Sequence, residues 1–299
     1  MDGRTEKPIS GILCLDKPED ITSFWCCSLL RKRLQTKKIG HGGTLDPMAT
    51  GVLPILVGGA TRAMDILPVQ DKGYRASFRF GLTSDTEDIW GHVSETGKPL
   101  PTRRQLEDIL PAFTGSLRQI PPMMSALKKD GVRLYDLARQ GIEVERESRE
   151  IQVYACTLIS YDEQTGEGTL DFTVSKGTYI RTLCSDIGKA LGCGAVMTAL
   201  RRTMAAGYTL DQCISLQNAK EMDREELLKH ILPTETAFAS YPAVQVTSAQ
   251  ANRFRNGGAL ALDRLPVPVT ETVRVYGDSQ FLGLGKPDDK ELKIYKLFL

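Results

Sequence analysis

The sequence predicts an α/β (α+β) protein with a mixed, largely antiparallel sheet flanked by helices and a small β-rich C-terminal domain. Segments with helical periodicity interleave with segments of alternating apolar and polar residues, which is typical of helices packed on a sheet. The interleaving has no regular βαβ period, so antiparallel pairing is favoured. After residue 242, short strand-like segments dominate, which indicates a separate β-rich domain.

Four segments of the larger region predict helices. The first, over 21–35, has an inward apolar stripe and either Thr22 or Ser23 as its cap. The second begins at Thr102, where Gln105 completes a capping-box signature, and runs to 110. The other two cover 181–191 and 219–232, the latter ended by Pro233.

The strands of the larger region are predicted at 75–80, 151–159 and 170–174. In the first of them, apolar residues alternate with Arg75, Ser77 and Arg79, which indicates a half-buried strand. A charged stretch over 121–150, holding one helix at 132–140, is predicted to protrude as an insertion or as a simple solvated excursion.

A domain boundary is predicted near 240–242, dividing the chain into 1–240 and 241–299. The smaller part begins with a short strand and a helix over 244–257, capped by Thr247 or Ser248. Strands follow at 273–276, 280–284 and 292–298. About sixty residues form a marginal core alone, so this domain is expected to dock on the larger one.

Composition excludes several classes of protein. No apolar run approaches the length of a membrane span, and the polar N-terminus does not resemble a signal peptide. Seven cysteines without a Cys-x-x-Cys pair fit reduced cytosolic thiols, and three distant histidines show no ligand spacing. We therefore expect a cytoplasmic protein without a metal or other cofactor.

The net charge of +1 is low for a protein that binds nucleic acid, but the charge is unevenly distributed. Basic residues cluster at 31–38, 128–139 and 201–202, whereas acidic residues cluster at 85–88, 223–226 and 288–291. Each basic cluster is either a solvated helix face or a set of phosphate contacts.

The most informative segment is residues 40–54, Gly-His-Gly-Gly-Thr-Leu-Asp-Pro-Met-Ala-Thr-Gly-Val-Leu-Pro. Glycines allow a close backbone approach to a ligand and prolines stiffen the chain, so Asp46 lies in a rigid turn. For Asp46 alone, the simplest interpretation is an aspartate that caps a backbone amide in a surface turn. The surrounding motifs favour a functional carboxylate instead.

This segment resembles the active-site loop of the bacterial tRNA pseudouridine synthase B (TruB) family, with Asp46 at the position of the family's aspartate. Four further groups of residues match the family in the same order: Ser10-Gly11, Leu15-Asp16-Lys17-Pro18 and Thr22-Ser23; Asp71 to Ala76 and Asp85 to Asp88; Pro121 to Lys128, Leu134-Tyr135 and Ala138 to Gly141; Ser175 to Leu183 and Leu200-Arg201-Arg202. The resemblance spans most of residues 8–240.

The resemblance implies the pseudouridine synthase fold, a PUA-like RNA-binding domain at the C-terminus, and a mobile flap over the RNA at 121–150. It also implies an enzyme that isomerises uridine 55 in the T loop of tRNA without a cofactor, through base flipping. Asp46 would be the nucleophile, Arg181 its ionic partner, and Tyr74 the tyrosine that stacks on the target base.

The remaining candidate residues are expected to bind the RNA or line the base pocket. His41 matches the family's histidine that enters the T loop, and Tyr179 and Leu200 match positions of the base pocket. The other candidates are basic: Lys17, Lys72, Lys128, Lys129, Arg133, Arg139 and Arg202.

Other functions stay open at this stage. A tRNA-binding folding factor, with catalysis secondary, would use the same contacts to open the RNA. A guide-RNA-dependent relative is disfavoured by the bacterial-type loop and by the lack of a basic tail. We expect a monomer that needs neither a protein partner nor a guide RNA. The sequence departs from the family at Glu19-Asp20, Trp90 and Met124, which bears on RNA affinity and flap packing.

Overall fold

The computed structural model describes residues 9–298, which divide into two compact units. The first unit contains residues 9–47, 52–69 and 206–298, and the second contains 48–51 and 70–205. Within the described residues, no helix is long and apolar enough to cross a membrane. The domain boundary near residue 240 stays a prediction.

The first unit holds two groups of elements. The first group is β1 (Gly11–Lys17), α1 (Ser23–Arg33), β2 (Ile39–His41), β3 (Thr50–Val57, from residue 52 onward), β13 (Tyr208–Thr209), β14 (Ile214–Ser215), α5 (Leu216–Glu221) and α6 (Arg224–Lys229). In this group β1 lies between β14, with which it pairs in parallel, and β3, whose other neighbour in the unit is the antiparallel β2.

The second group forms a five-stranded sheet in the order β15-β17-β18-β19-β16. It consists of β15 (Ala243–Val246), α7 (Ser248–Arg255), β16 (Leu260–Ala261), β17 (Val273–Gly277), β18 (Gln280–Asp288) and β19 (Glu291–Leu297). Phe254 and Ala251 of α7 are buried in its core with Val275, Leu282 and Leu292 of the strands. The β-rich C-terminal region is therefore confirmed, with its own core.

The second unit contains β4 (Lys72–Phe80), β5 (Leu82–Ser84), β6 (Val93–Glu95), α2 (Arg103–Ile109), β7 (Gly115–Gln119), β8 (Lys128–Lys129), β9 (Val132–Arg133), α3 (Leu134–Arg139), β10 (Arg149–Tyr161), β11 (Glu167–Val174), α4 (Ile180–Ala190) and β12 (Ala195–Ala205). Its main strands run β12-β4-β11-β10-β7, and all of these pairs are antiparallel. One parallel pairing joins residues 50–51 of β3 to 201–202 of β12. The sheet is thus mixed and largely antiparallel, which confirms the predicted fold class.

The local patterns explain most element boundaries. In β4 the alternating residues Ala76, Phe78 and Phe80 are buried, while Arg75 and Arg79 are exposed. Thr22, and not Ser23, caps α1 by accepting a hydrogen bond from the backbone of residue 25. The capping boxes at Thr102 and Thr247 form with both of their hydrogen bonds.

Two helix predictions need correction. The single helix expected at 219–232 is two short helices, α5 and α6, because Asp223 adopts an extended conformation and caps α6 in a capping box with Glu226. The helix expected at 132–140 begins two residues later, since residues 132–133 pair with 128–129 as a short hairpin.

The turn from the candidate loop into β3 depends on Gly51. Its φ is +102°, a region that favours glycine, and a Cβ atom there would lie 2.1 Å from the carbonyl oxygen of Arg202. No side chain fits at that distance, so β3 can approach β12 only with glycine at this position.

Replacing Gly51 with alanine should therefore lower the free energy of unfolding by about 2–4 kcal/mol, since the backbone of β3 or that of β12 must move to accept the methyl group. The matched control is Gly97→Ala. Gly97 has a φ of +64°, but no atom of the described residues lies within 4 Å of the added methyl group, so the change should cost about 1 kcal/mol. Denaturant unfolding measures both. Equal losses in the two variants would contradict the steric explanation.

Candidate active site

The candidate residues lie on both units, and each group is described within its own unit. In the first unit, β2 leads into residues 42–47, here called the aspartate loop. The amide of Gly42 donates to the carbonyl oxygen of Pro54 at 2.8 Å, which closes the base of the loop. Leu45 is buried and Asp46 is half-buried. The loop therefore has an inward anchor directly before its carboxylate.

Two buried side chains hold the aspartate loop on either side of Asp46. The Ser23 hydroxyl accepts a hydrogen bond from the Leu45 amide at 2.9 Å and lies 3.2 Å from the Leu45 carbonyl oxygen, to which it donates. The Lys17 ammonium donates to the carbonyl oxygen of Pro47 at 3.1 Å. The backbone is thus fixed one residue before and one residue after Asp46.

Lys17 was expected to contact RNA, but the structure places it at 0% exposure. Its ammonium also donates to the carbonyl oxygens of Pro18 and Ile21, at 2.8 and 2.6 Å. A buried ammonium must be surrounded by acceptors, and these carbonyls supply them. Because the amine is enclosed, we assign Lys17 to support of the aspartate loop.

His41, the residue expected to enter the RNA, ends β2 and is half-buried. It pairs with Ile55 of β3 in the antiparallel register. Its position is therefore set by the same hairpin that carries the aspartate loop.

In the second unit, Arg181 is the centre of a buried cluster. Its guanidinium donates through Nη1 to the carbonyl oxygen of Thr86 and through Nη2 to that of Met124, each at 2.9 Å. Nη1 also lies 3.3 Å from Oδ2 of Asp88, and both side chains are more than nine-tenths buried. We call Arg181, Asp88, Thr86 and Met124 the arginine cluster.

Asp88 is itself fully engaged in this cluster. Its Oδ1 accepts from the hydroxyl of Thr86 at 2.8 Å and from the amide of Trp90 at 3.0 Å, while Oδ2 faces Arg181. Arg181 is the second residue of α4, and a cation at a helix N-terminus is unfavourable. The buried carboxylate offsets that cost, so the pair fixes the guanidinium where the helix alone would not.

A second contact attaches the same turn to α4. The hydroxyl of Thr182 donates to the Glu87 carboxylate at 2.5 Å. Burial raises the pKa of Glu87 above its usual range, and the Thr182 hydrogen bond opposes this rise. Each of residues 86–88 therefore contacts the first turn of α4, at Arg181 or Thr182.

Three candidates lie on the sheet of the second unit. Tyr74 on β4 faces Arg202 on β12 in the antiparallel register, and Leu200 faces Ala76. Tyr74 and Leu200 are buried apart from a small exposed fraction, and Arg202 is at 0% exposure. The Arg202 side chain is therefore not accessible to a phosphate in this structure. Tyr74 and Leu200 lie on adjacent strands, as residues that line one pocket would.

Tyr179 immediately precedes α4 and is half-buried. The buried side-chain amide of Gln119 accepts from the Tyr179 amide at 2.8 Å and donates to its carbonyl oxygen at 3.0 Å. This pair of hydrogen bonds fixes the backbone next to Arg181.

Lys72, at the start of β4, has an amine with a lowered pKa. Burial is the main cause that lowers its pKa to about 8, and the nearby positive charges of Arg202 and Lys176 contribute to the same shift. A half-buried amine with this pKa loses its charge within the mildly alkaline range.

The four basic candidates of the insertion are exposed: Lys128, Lys129, Arg133 and Arg139. Tyr135 lies between two of them, with the guanidinium carbons of Arg133 and Arg139 at 5.6 and 5.4 Å from its ring centre. This arrangement keeps two cations together on one surface of α3 and β9.

Sequence reasoning missed four residues with clear positioning contacts. Asp88 and Ser23 were part of matched motifs, but nothing in their spacing indicates that they contact Arg181 or Leu45. Glu87 also lies within a matched motif, whereas Gln119 lies just before one, and neither carries a recognisable signal. All four act through contacts between segments distant in sequence.

Replacing Ser23 with alanine should lower the free energy of unfolding by about 1–3 kcal/mol, because the buried amide and carbonyl of Leu45 lose their partner. Ser28→Ala on the same helix is the control, since the one hydrogen bond of its hydroxyl to a described residue is a long one, accepted from Arg31 at 3.4 Å. Chemical denaturation compares the two. A Ser23→Ala variant as stable as the control would contradict the anchoring role.

Comparisons with known proteins identify the family of the chain. The sequence model of the TruB family pseudouridylate synthase N-terminal domain matches residues 31–180, the tRNA pseudouridylate synthase B C-terminal domain matches 181–239, and the pseudouridine synthase II TruB C-terminal domain matches 242–297.

Curated relatives match nearly the whole chain. The tRNA pseudouridine synthase B of Dechloromonas aromatica is 40% identical, covering 95% of this chain and 93% of the relative. That of Coxiella burnetii is 41% identical, covering 94% and 92%. Among solved structures, a chain of a Cbf5-Nop10-Gar1 complex superposes with a TM-score of 0.72 at 25% identity, covering 97% of this chain and 85% of that one. The chain belongs to the TruB family of pseudouridine synthases.

Proposed function

We propose that this protein converts uridine 55 in the T loop of tRNA to pseudouridine. The observation that carries the proposal is the double anchoring of the backbone around Asp46 by Ser23 and Lys17, which fixes a half-buried carboxylate on an otherwise glycine-rich loop. Such preorganisation is what a catalytic group needs, and a mere surface turn does not need it. The family membership and the names of the curated relatives support the tRNA substrate.

The reaction breaks the N1–C1′ glycosidic bond, turns the base, and joins C5 to C1′, with a proton lost from C5 and one gained at N1. Atoms and charge balance within the nucleoside, so the step consumes no nucleotide and transfers no electrons. Asp46 supplies the nucleophile, because a carboxylate can form a covalent intermediate and then leave.

Arg181 contributes positive charge to the same reaction, as the family resemblance implies. An arginine keeps its charge at every physiological pH and stabilises the ionised form of a carboxylate that it approaches. Asp88 acts through Arg181 by fixing the guanidinium, and is therefore a positioning residue. Tyr74, Tyr179 and Leu200 are proposed to receive the uracil ring.

A uridine stacked inside a folded loop must be turned out before an enzyme can act on its glycosidic bond. We propose that His41 occupies the space left in the RNA, since a ring can stack on the neighbouring bases. Lys72 and the exposed cations of the insertion contact phosphates: Lys128, Lys129, Arg133 and Arg139. The protein is proposed to act as a cytoplasmic monomer, without a guide RNA or a protein partner.

The Asp46→Asn variant should form no pseudouridine, because an amide is not a nucleophile for this step, while its tRNA affinity stays within about threefold of the unchanged protein. Unmodified tRNA is incubated with each variant, and pseudouridine is mapped by carbodiimide-stop sequencing. Asp65→Asn, an exposed aspartate of the same unit, is the control and should retain activity.

Pseudouridine formed by Asp46→Asn would contradict the proposal. A protein whose main role is tRNA folding would behave differently: Asp46→Asn would still support tRNA maturation in cells, whereas loss of the charges at Lys128, Lys129 and Arg133 would not. The same two sets of variants therefore separate the two functions.

The Asp88→Asn variant should lower the single-turnover rate by about a hundredfold with little change in tRNA affinity, because Arg181 loses the charge that fixes it. Asp85→Asn is the matched control, since Asp85 is exposed and, within residues 9–298, accepts only the His92 amide at 2.8 Å. Circular dichroism confirms that each variant is folded. A rate equal to that of the control would exclude a positioning role for Asp88.

The pKa of Lys72 predicts a pH-dependent affinity for tRNA. The ammonium binds phosphate, so affinity is highest below pH 8 and falls as the pH rises through this value. Between pH 7 and 8.5 the fraction of Lys72 that is charged in the free protein falls roughly fourfold, and the association constant for tRNA should fall by the same factor. Filter binding measures it.

Lys72→Met should bind more weakly and lose this fourfold dependence. Lys129→Met, which removes an exposed cation, should bind more weakly but keep it. If the association constant of the unchanged protein does not vary with pH, or if Lys72→Met keeps the dependence, then Lys72 does not contact phosphate.

A further inference from the structure

Two cysteines of the first unit are neighbours: Cys14 lies on β1, and Cys213 is the residue directly before β14, the strand that pairs with β1. β1 and β14 pair in parallel, with Leu15 opposite Ile214, and the residues that precede this pair are Cys14 and Cys213. Neighbouring strands lie about 4.8 Å apart. A disulfide spans Cα separations of about 4.4–6.8 Å, so the register places the two residues within bonding range.

The two thiols interact directly. This contact is the largest cause that raises the pKa of Cys14 above its usual range, and burial is the next cause. The Cys213 thiol also donates to the carbonyl oxygen of Thr209 at 3.4 Å. Both cysteines are free, so the resting state of the pair is two neighbouring thiols.

The pair differs in exposure, as a reactive and a resolving cysteine do. Cys14 is buried, whereas Cys213 is half-exposed. Cys156 is the only other half-exposed cysteine among the seven, and it lies on β10 in the second unit. An oxidant in solution therefore reaches Cys213 before Cys14, whose thiol is in contact with it.

We propose that Cys14 and Cys213 form a dithiol site that a hydroperoxide oxidises to a disulfide. The Cys213 thiol loses its proton to solvent, and the thiolate attacks the terminal peroxide oxygen and breaks the O–O bond, which gives a sulfenic acid. The leaving alkoxide, or hydroxide when the oxidant is hydrogen peroxide, takes a proton from solvent and departs as alcohol or water. The Cys14 sulfur then displaces the sulfenic oxygen, which leaves as water with the thiol proton. Two electrons pass from the sulfurs to the peroxide, and a thiol reductant restores the pair.

The position of the bond gives it a measurable consequence. It joins residue 14 to residue 213 and so closes a loop that contains most of the chain. Long loops lose the most conformational entropy in the unfolded state when they are closed, and the folded state is stabilised accordingly. β1 continues into Lys17, so the bond secures the strand that carries the anchor of the aspartate loop.

The experiment treats the full-length protein with hydrogen peroxide, blocks the remaining thiols with N-ethylmaleimide, and maps peptides without reduction. The expected result is a peptide pair linked through Cys14 and Cys213, which dithiothreitol separates. The midpoint of thermal unfolding of the oxidised protein should rise by roughly 5 °C and return after reduction.

Cys213→Ser should abolish both the linked peptide and the thermal shift, and Cys156→Ser should retain both. Cys14→Ser should leave Cys213 to oxidise further to the sulfinic acid, since no partner captures the intermediate. Oxidation of Cys213 to sulfinic acid in the unchanged protein, without a link to Cys14, would overturn the proposal. Equal linkage of Cys213 to several cysteines would do the same.

Discussion

The anchoring of the backbone on both sides of Asp46 is the constraint on which the rest of the first unit's candidate chemistry depends. A glycine-rich loop is conformationally permissive, so its carboxylate has a defined position only if other residues impose one. Ser23 and Lys17 do so from buried positions. The second unit follows the same logic, where Asp88 fixes Arg181. In both units, buried polar side chains fix the position of a charged group.

Much of the fold follows from local sequence patterns. The alternation in β4 and the capping box at Thr102 appear in the structure as expected, and Thr247, one of the two caps considered, caps α7. β12 was missed, although it pairs along its length with β4 and glycines flank it, because its residues do not alternate cleanly between apolar and polar. The break between α5 and α6 was missed because the helical pattern runs through it, and only the conformation of Asp223 reveals the cap.

The candidate site was predictable in its motifs and not in its contacts. The sequence singled out the loop of Asp46 through its glycines and prolines, and the resemblance added Arg181. Neither indicates that Ser23 holds Leu45, because that contact joins segments far apart in the chain. Burial is likewise invisible in a motif: Lys17 reads as an RNA-binding cation, and only the folded chain encloses its ammonium among carbonyl oxygens.

The most direct measurement is a crystal structure of the protein with a tRNA T arm that carries 5-fluorouridine at position 55. In this nucleotide fluorine replaces the C5 hydrogen that the reaction must remove as a proton, so the reaction cannot be completed. The account predicts that the fluorinated nucleotide is turned out of its loop with the Asp46 carboxylate against it, while Leu45 and Pro47 keep their hydrogen bonds to Ser23 and Lys17. A nucleotide that stays stacked within the T loop, or a carboxylate directed away from it, would contradict the account.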